Sequence, residues 1–329
     1  MKPFYYSQYG PLFEDYLTLK KSLGYKCSNV WYSFRKFDRY IIKTKYTSIG
    51  LTKELCEEWR LQNPNEAGKS WYNRIQVIRS FSAYLQQLNY ESFLPILPKI
   101  KSTYTPYIYT KKEITLLFNQ CDNLCTQTTC YNSIVLIIPC LFRLLYGTGV
   151  RLGEALSLLC SDINVSEKYI LLRNSKNGKD RIVPLSDSLT QACEDYLECR
   201  NRLPLRKKTD LFFVHPNGEN CTNRQVYGWF RKILYKAGIP HQGKHQGPHI
   251  HHLRHTFSVH SLAAMAEVDL DLNYSLPILS VYLGHQSVAS TDRYVRLTAE
   301  IYPSIMAKVN KALPLLYPDI FKQTSYETK

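Results

Sequence analysis

The sequence has no apolar run long enough to cross a bilayer. Its longest, Ile134 to Phe142, spans 9 residues and contains Pro139, about half of the roughly 20 that a membrane helix requires. The opening stretch Met1-Lys-Pro-Phe-Tyr-Tyr holds no apolar segment of signal-peptide length, which predicts a cytoplasmic protein. In that compartment the 10 cysteines are expected to stay reduced. No Cys-x-x-Cys pair occurs, even among Cys121, Cys125 and Cys130, so the thiols read as small buried side chains rather than zinc ligands. Also missing are a Gly-x-x-x-x-Gly-Lys-Ser/Thr loop and the acidic cluster of a two-metal nuclease. Neither a metal nor a nucleotide cofactor is expected. Acidic side chains are scarce, 27 against 42 Lys and Arg, for a formal charge of +15. That excess calls for a polyanionic partner, and with no membrane segment the partner is nucleic acid.

The 329 residues suffice for two domains. Residues 1–105 carry 16 basic and 8 acidic side chains, and residues 106–329 carry 26 and 19. The first third reads as helical throughout. One apolar pattern runs from Leu12 to Leu23 and stops at Gly24, a helix C-cap. A second, Val30 to Ile42, sets Trp31, Phe34 and Phe37 among Arg35, Lys36 and Arg39. A third starts after Thr52, its N-cap, and a fourth runs from about Ser70 to Leu88. Aromatics at helical spacing belong to a core. Arg35, Lys36, Arg39, Arg74 and Arg79, on the remaining faces, are the candidates for nucleic-acid contact. Residues 91–109, with Pro95, Pro98 and Pro106, read as an extended linker. The boundary falls near 105, where Thr110-Lys-Lys-Glu113 forms a capping box.

The second part is mixed. Apolar helical stretches cover about 131–146 and 151–159. Tyr169–Arg173 and Arg181–Leu185 read as strands joined by a polar turn, and Leu211–Val214 reads as a further strand before the turn His215-Pro-Asn-Gly218. Helices follow from Ser186, from Thr222 to Ala237, and from about His249. The expected class is mainly α with a small β-sheet (α+β).

Seven of the nine histidines lie between His241 and His260. His251 and His255 share a helix face, as two metal ligands do, yet the zinc-protease pattern needs Glu where His252 stands, and no acid lies within the cluster. A different spacing is more informative. His251 precedes Arg254 by one helical turn, so both can reach one anion, and a guanidinium fork matches a phosphate. Upstream, Gly147-Thr-Gly-Val-Arg151-Leu-Gly-Glu154 places another arginine where a glycine turn enters a helix. Downstream, Leu283-Gly-His285 precedes Tyr294 by nine residues.

In order and spacing these elements resemble the tyrosine recombinase (phage integrase) family, Xer-like recombinases included, over roughly residues 105–300. Arg151 and Glu154 are similar to its first arginine box, and Lys176–Leu185 to the hairpin with the catalytic lysine. His251 and Arg254 resemble its His-x-x-Arg box, with His249 an alternative register two residues earlier. His285 and Tyr294 match its final histidine and nucleophile. The resemblance implies a helical core-binding domain at 1–105 and a catalytic domain at 106–329 with a tail helix, together forming a C-shaped clamp around DNA. The tail pattern, Ile301 to Leu313, docks either on a neighbouring subunit or on its own domain.

The implied reaction is strand cleavage by Tyr294, leaving a 3′-phosphotyrosine and a free 5′-hydroxyl. Arg151 and Arg254 clamp the nonbridging oxygens against the charge of the transition state. A phenol titrates near pH 10, so its proton needs an acceptor, a role given to His251. Lys176 protonates the leaving 5′-oxygen, with Lys179 the competing candidate. Lys179 and Arg181 otherwise read as DNA-backbone contacts or solvated charges. His285 donates to the phosphate, and Glu154 buttresses an arginine or a histidine. The implied partners are double-stranded recombination sites, a homotetramer or a heteromer with a related recombinase, and accessory DNA-bending or directionality proteins. The implied location is the bacterial nucleoid. Integration, excision, transposition and dimer resolution all use these residues. A type IB topoisomerase, or a DNA-binding architectural protein without catalysis, is the alternative.

Overall fold

The computed structural model describes the chain except residues 1–4, 101–103, 128–132, 174–177, 206, 242, 244–246, 269, 271, 286, 288 and 303–329, and the side chains of 125–127, 272, 273, 289, 290, 292, 299 and 300. It divides into two compact units, Met1–Tyr104 and Thr105–Lys329.

In the first unit the apolar periodicity yields four helices: α1 (Gly10–Ser22), α2 (Ser28–Thr44), α3 (Lys53–Arg60) and α4 (Gly68–Gln87). Helix α1 ends where Gly24 takes φ +82°, a left-handed turn that its missing Cβ permits. Thr52 Oγ1 accepts the Leu55 amide at 3.3 Å and starts α3. The core is aromatic. Phe13, Phe34, Phe37 and Phe81 are fully buried, and Phe13 stacks on Phe34 with centroids 4.4 Å apart. Because α2 turns Phe34 and Phe37 inward, Arg35, Lys36 and Arg39 stand exposed on its other faces.

Arg74 departs from the sequence expectation. It is not available to solvent: it is 6% exposed and pairs with Glu66, Nη2 to Oε2, at 2.8 Å. It also donates to the carbonyls of Trp59 and Leu61 and lies over the Trp59 ring. Helix α3 ends there, and its terminal carbonyls need a donor that the helix cannot supply. Arg79 is half-buried, with Nη1 donating to the Pro95 carbonyl at 2.8 Å. The chain at 91–95 is tied down on the helical unit, since the Phe93 amide donates to Leu51 O and Ser82 Oγ donates to Phe93 O.

In the second unit, the Thr110–Glu113 capping box forms, the Thr110 amide donating to Glu113 Oε2 at 2.7 Å and the Glu113 amide to Thr110 Oγ1 at 3.2 Å. It opens α5 (Lys111–Gln127), followed by a short 3-10 turn (Ile134–Ile137), α6 (Ile138–Thr148) and α7 (Leu152–Leu156). Three short strands, β1 (Ile163–Asn164), β2 (Tyr169–Leu172) and β3 (Arg181–Pro184), form an antiparallel sheet in that order, with Ile170 opposite Val183. Then come α8 (Asp187–Asn201), α9 (Asn223–Lys236), α10 (His251–Glu267), α11 (Leu272–Leu283) and α12 (Ala289–Ile301). The α+β class is as expected. Leu211–Val214 is not a strand: it makes only single bridges, Leu159 with Leu211 and Val214 with Asn220. Phe212 and Phe213 are both buried there, so the segment lacks the one-in, one-out alternation of a sheet face. Among the described residues no helix is long and apolar enough to cross a membrane. The tail pattern beyond Tyr302 lies outside the described residues.

Candidate active site

Two backbone turns of the second unit converge on one guanidinium. Helix α6 ends at Gly149, whose φ of +62° suits a residue without Cβ; a Cβ there would lie 2.4 Å from Phe257 Cδ1. The turn aims the Gly149 carbonyl at Arg254 Nη1, 2.7 Å away. Arg254 rises from the first turns of α10 and is 2% exposed. Its Nη2 donates to the Leu283 carbonyl at the end of α11, also at 2.7 Å. The same nitrogen lies 3.0 Å from His285 Nε2. Burial and the neighbouring Arg151 charge lower the Arg254 pKa to about 10, so it remains a cation at pH 7.

A guanidinium donates and cannot accept, which fixes the His285 tautomer. Nε2 carries the lone pair, and Nδ1–H donates to Thr291 Oγ1 at 2.8 Å. Burial, then the charges of Arg254, Arg151, Arg293 and Arg181, lower His285 to about 4, so its ring is neutral. In this arrangement His285 orients Arg254 as an acceptor, where the sequence reading made it a donor to the phosphate.

Arg151 stands just before α7, half-buried, with Nη1 2.7 Å from Glu154 Oε1. Its amide donates to Oε2 of the same carboxylate at 3.0 Å, and Nη2 reaches the Gly284 carbonyl at 3.4 Å. The second partner of Glu154 is Arg181 of β3, Nη2 to Oε2, at 2.8 Å. Burial alone would raise the Glu154 carboxyl, but hydrogen bonds from Arg181 and the Arg151 amide outweigh it and bring the pKa to about 2. Arg181 is therefore neither solvated nor exposed; it is an internal strut that also donates to the Tyr282 carbonyl at 3.1 Å. Its guanidinium packs where a Cβ on Gly284 would stand, 2.9 Å from Nη1, so the Leu-Gly-His turn needs glycine there. Lys179 is exposed near the hairpin tip, and Lys176 lies outside the described residues.

Tyr294 of α12 is 2% exposed. Its ring stacks against His285 with centroids 6.3 Å apart, and its hydroxyl lies 2.9 Å from Nδ1 of His255. The histidine at the tyrosine hydroxyl is thus His255, not the expected His251. The two histidines share one face of α10 and differ in depth along it: His251 is the first, exposed residue of the helix, while His255, one turn further in, is buried against Tyr294 of α12. His251 is exposed and meets His255 edge-on, centroids 4.8 Å apart. The structure brings together Arg151, Glu154, Arg254, His285 and Tyr294, with His251 at the margin. Arg35, Lys36, Arg39, Arg74 and Arg79 belong to the other unit. Sequence reasoning misses His255 and Thr291 as parts of the site and gives Arg181 a different role, a DNA-backbone contact or a solvated charge. His255 has a signal, a helical turn's spacing from His251, but that spacing suggests only a metal pair, which the absence of an acidic residue in the cluster argues against.

Residues 108–300 match the model of the phage integrase family. A protein of Sinorhizobium fredii provisionally named integrase/recombinase y4rB is 28% identical over 308 residues, covering 91% of this chain and 96% of its own. Tyrosine recombinase XerC of Listeria welshimeri is 29% identical over 242 residues, covering 71% of this chain and 73% of its own. The fold is also that of the XerH site-specific recombinase, crystallised on a palindromic difH substrate as a post-cleavage complex. That match has a TM-score of 0.62 at 20% identity, covering 81% of this chain and 74% of the other. With the family model spanning more than half of the sequence, the chain belongs to the phage integrase family of tyrosine recombinases.

Proposed function

We propose that this protein is a site-specific DNA recombinase that cuts and rejoins duplex DNA through a covalent link to Tyr294. One observation carries the reading: Arg254, held by two main-chain carbonyls, lies beside Arg151, His285 and Tyr294. Two guanidiniums and a phenol grouped in this way suit a phosphodiester. Its anionic oxygens repel a nucleophile, and fixed cations offset the charge that grows in the transition state.

Tyr294 attacks phosphorus, the P–O5′ bond breaks, and a 3′-phosphotyrosine and a 5′-hydroxyl result. Lys176, carried over from the family's hairpin lysine, gives the departing oxygen its proton. Because the phosphotyrosine retains the linkage energy, a 5′-hydroxyl from another strand can reverse the step. Repeated on four strands within a tetramer, this exchange passes through a Holliday junction. The exposed Arg35, Lys36 and Arg39 of α2 serve the helical unit as phosphate contacts, which position DNA without reading its sequence.

Suicide-substrate trapping tests this reading. Nicked duplexes carrying candidate sites from the flanks of the gene are mixed with the protein, then denatured. A covalent adduct from the wild type, absent from Tyr294→Phe, is the expected result. An adduct from Tyr294→Phe removes Tyr294 as nucleophile, and its absence from both proteins on DNA that they bind removes the reaction.

A further inference from the structure

We propose that His255 is a catalytic residue: it holds the Tyr294 hydroxyl and receives its proton at Nδ1 as the tyrosine attacks. The inference rests on the reading of Tyr294 as nucleophile. It assigns the phenol's proton to a side chain outside the pair His251 and Arg254.

The geometry is direct. His255 Nδ1 and Tyr294 Oη are 2.9 Å apart, within the reach of a positioned base, and both side chains are buried, His255 4% exposed and Tyr294 2%. Main-chain packing fixes the approach. His255 follows Arg254, whose guanidinium is anchored on Gly149 and Leu283, and Thr256 Oγ1 accepts the Tyr109 amide at 3.0 Å. The turn of α10 that bears His255 is thus held on either side. The ring order Tyr294, His255, His251 leads from the buried phenol to an exposed imidazole.

Electrostatics supplies a reason for the arrangement. Burial, then the charges of His251, His252, Arg293 and Arg254, lower His255 to about 3. The ring is therefore neutral at working pH, with a lone pair to offer, but is a weak base. Arg254 is both a cation that weakens it and a cation offered to the phosphate. A bound phosphodiester offsets that charge and makes His255 more basic, so proton uptake costs less once DNA is seated. The protons balance. The phenolic proton moves to Nδ1 as the O–P bond forms, and it returns to Tyr294 when a 5′-hydroxyl expels the tyrosine.

The test places a fluorinated tyrosine, whose phenol is more acidic, at position 294 in the wild type and in His255→Asn. Fluorine NMR without DNA reads the contact itself. The resonance is expected to shift between the two proteins, and an unchanged spectrum overturns the proposal. Single-turnover cleavage of nicked duplex reads the chemistry. His255→Asn with ordinary tyrosine is expected to cleave about 10²-fold more slowly, the low end for a lost general base. With fluorotyrosine that deficit should shrink at least tenfold. Equal rates, or an equal deficit with both phenols, overturns the proton role, because a merely structural histidine is indifferent to phenol acidity. If His255→Asn does not fold, nitrogen NMR of histidine-labelled wild type against Tyr294→Phe reads the His255 Nδ1 resonance, and its failure to move overturns the contact. A wild type that shows the contact yet never forms an adduct counts against the recombinase reading and leaves the hydrogen bond standing.

Discussion

Arg181 and Glu154, one on the last strand of the sheet and the other on a five-residue helix, form a doubly hydrogen-bonded pair, Nη2 to Oε2 at 2.8 Å and Nη1 to Oε1 at 3.3 Å. Arg151 holds the same carboxylate from the other side. Glu154 therefore joins the hairpin to the arginine box, and the position of Arg151 depends on a residue that never needs to touch DNA.

Arg181→Gln is expected to slow single-turnover cleavage by about 10–10²-fold, the scale of a sub-ångström misplacement of a clamping group. Arg181→Lys should recover only part of that loss, since an ammonium cannot reproduce a two-pronged pair. Full activity in Arg181→Gln would show that Arg151 needs no such support.

Gly149→Ala should cost about 2–5 kcal/mol, combining a left-handed backbone with a methyl group driven into Phe257. Denaturant unfolding checks the figure. Because the Gly149 carbonyl anchors Arg254, the variant should also lose covalent adduct under conditions in which it remains folded.

Arg74 and the α2 cations should behave oppositely. Arg74→Met leaves Glu66 and two carbonyls without their donor and is expected to destabilise the helical unit by about 3 kcal/mol or more. Lys36→Ala and Arg39→Ala should leave stability nearly unchanged and each reduce the slope of log affinity against log salt by about 1. DNA-binding titrations at several salt concentrations, alongside thermal melts, separate the two behaviours.

Acid should unfold the second unit earlier than its carboxylates alone require. His252 and His285 sit at about 4 and His255 at about 3, all depressed from 6.5. A depressed histidine binds its proton first in the unfolded chain. Stability is unaffected well above pH 6.5, falls as pH drops through that value, and levels off only below the folded pKa. At pH 5 each of the three contributes a loss on the order of 1–2 kcal/mol. Glu154, held at about 2, adds a further loss below pH 4.5. Melting temperatures from pH 8 to 4 check this, and His255→Asn should flatten the upper part of the curve.

Much of the fold is legible in the sequence because the signals are local. Gly24, Thr52, Thr110–Glu113 and Ser186 act on their own helix ends, and each stands where its chemistry predicts. The candidate site is legible in part for a different reason, since the arginine and histidine boxes have fixed spacings over short stretches of chain, one helix turn or one helix start. What escapes depends on partners distant in the chain. Arg181 looks like a surface charge until β3 comes beside Glu154, 27 residues earlier. His255 looks like one histidine among several until α12 brings Tyr294 to it from 39 residues away. Leu211–Val214 looks like a strand because an apolar run cannot reveal whether a neighbouring strand exists to pair with it.

The two oxygens that grip Arg254 are peptide oxygens, of Gly149 and Leu283. No amino-acid exchange deletes a carbonyl; only a change in the path of the chain moves it. Transplanting Arg151, His251, Arg254, His285 and Tyr294 as side chains onto another helical scaffold would therefore leave the central guanidinium unmoored. The portable unit is larger than the list of reactive groups. It comprises two glycine turns and the helix ends that meet them, and an engineer seeking this chemistry elsewhere would have to copy the route of the main chain first.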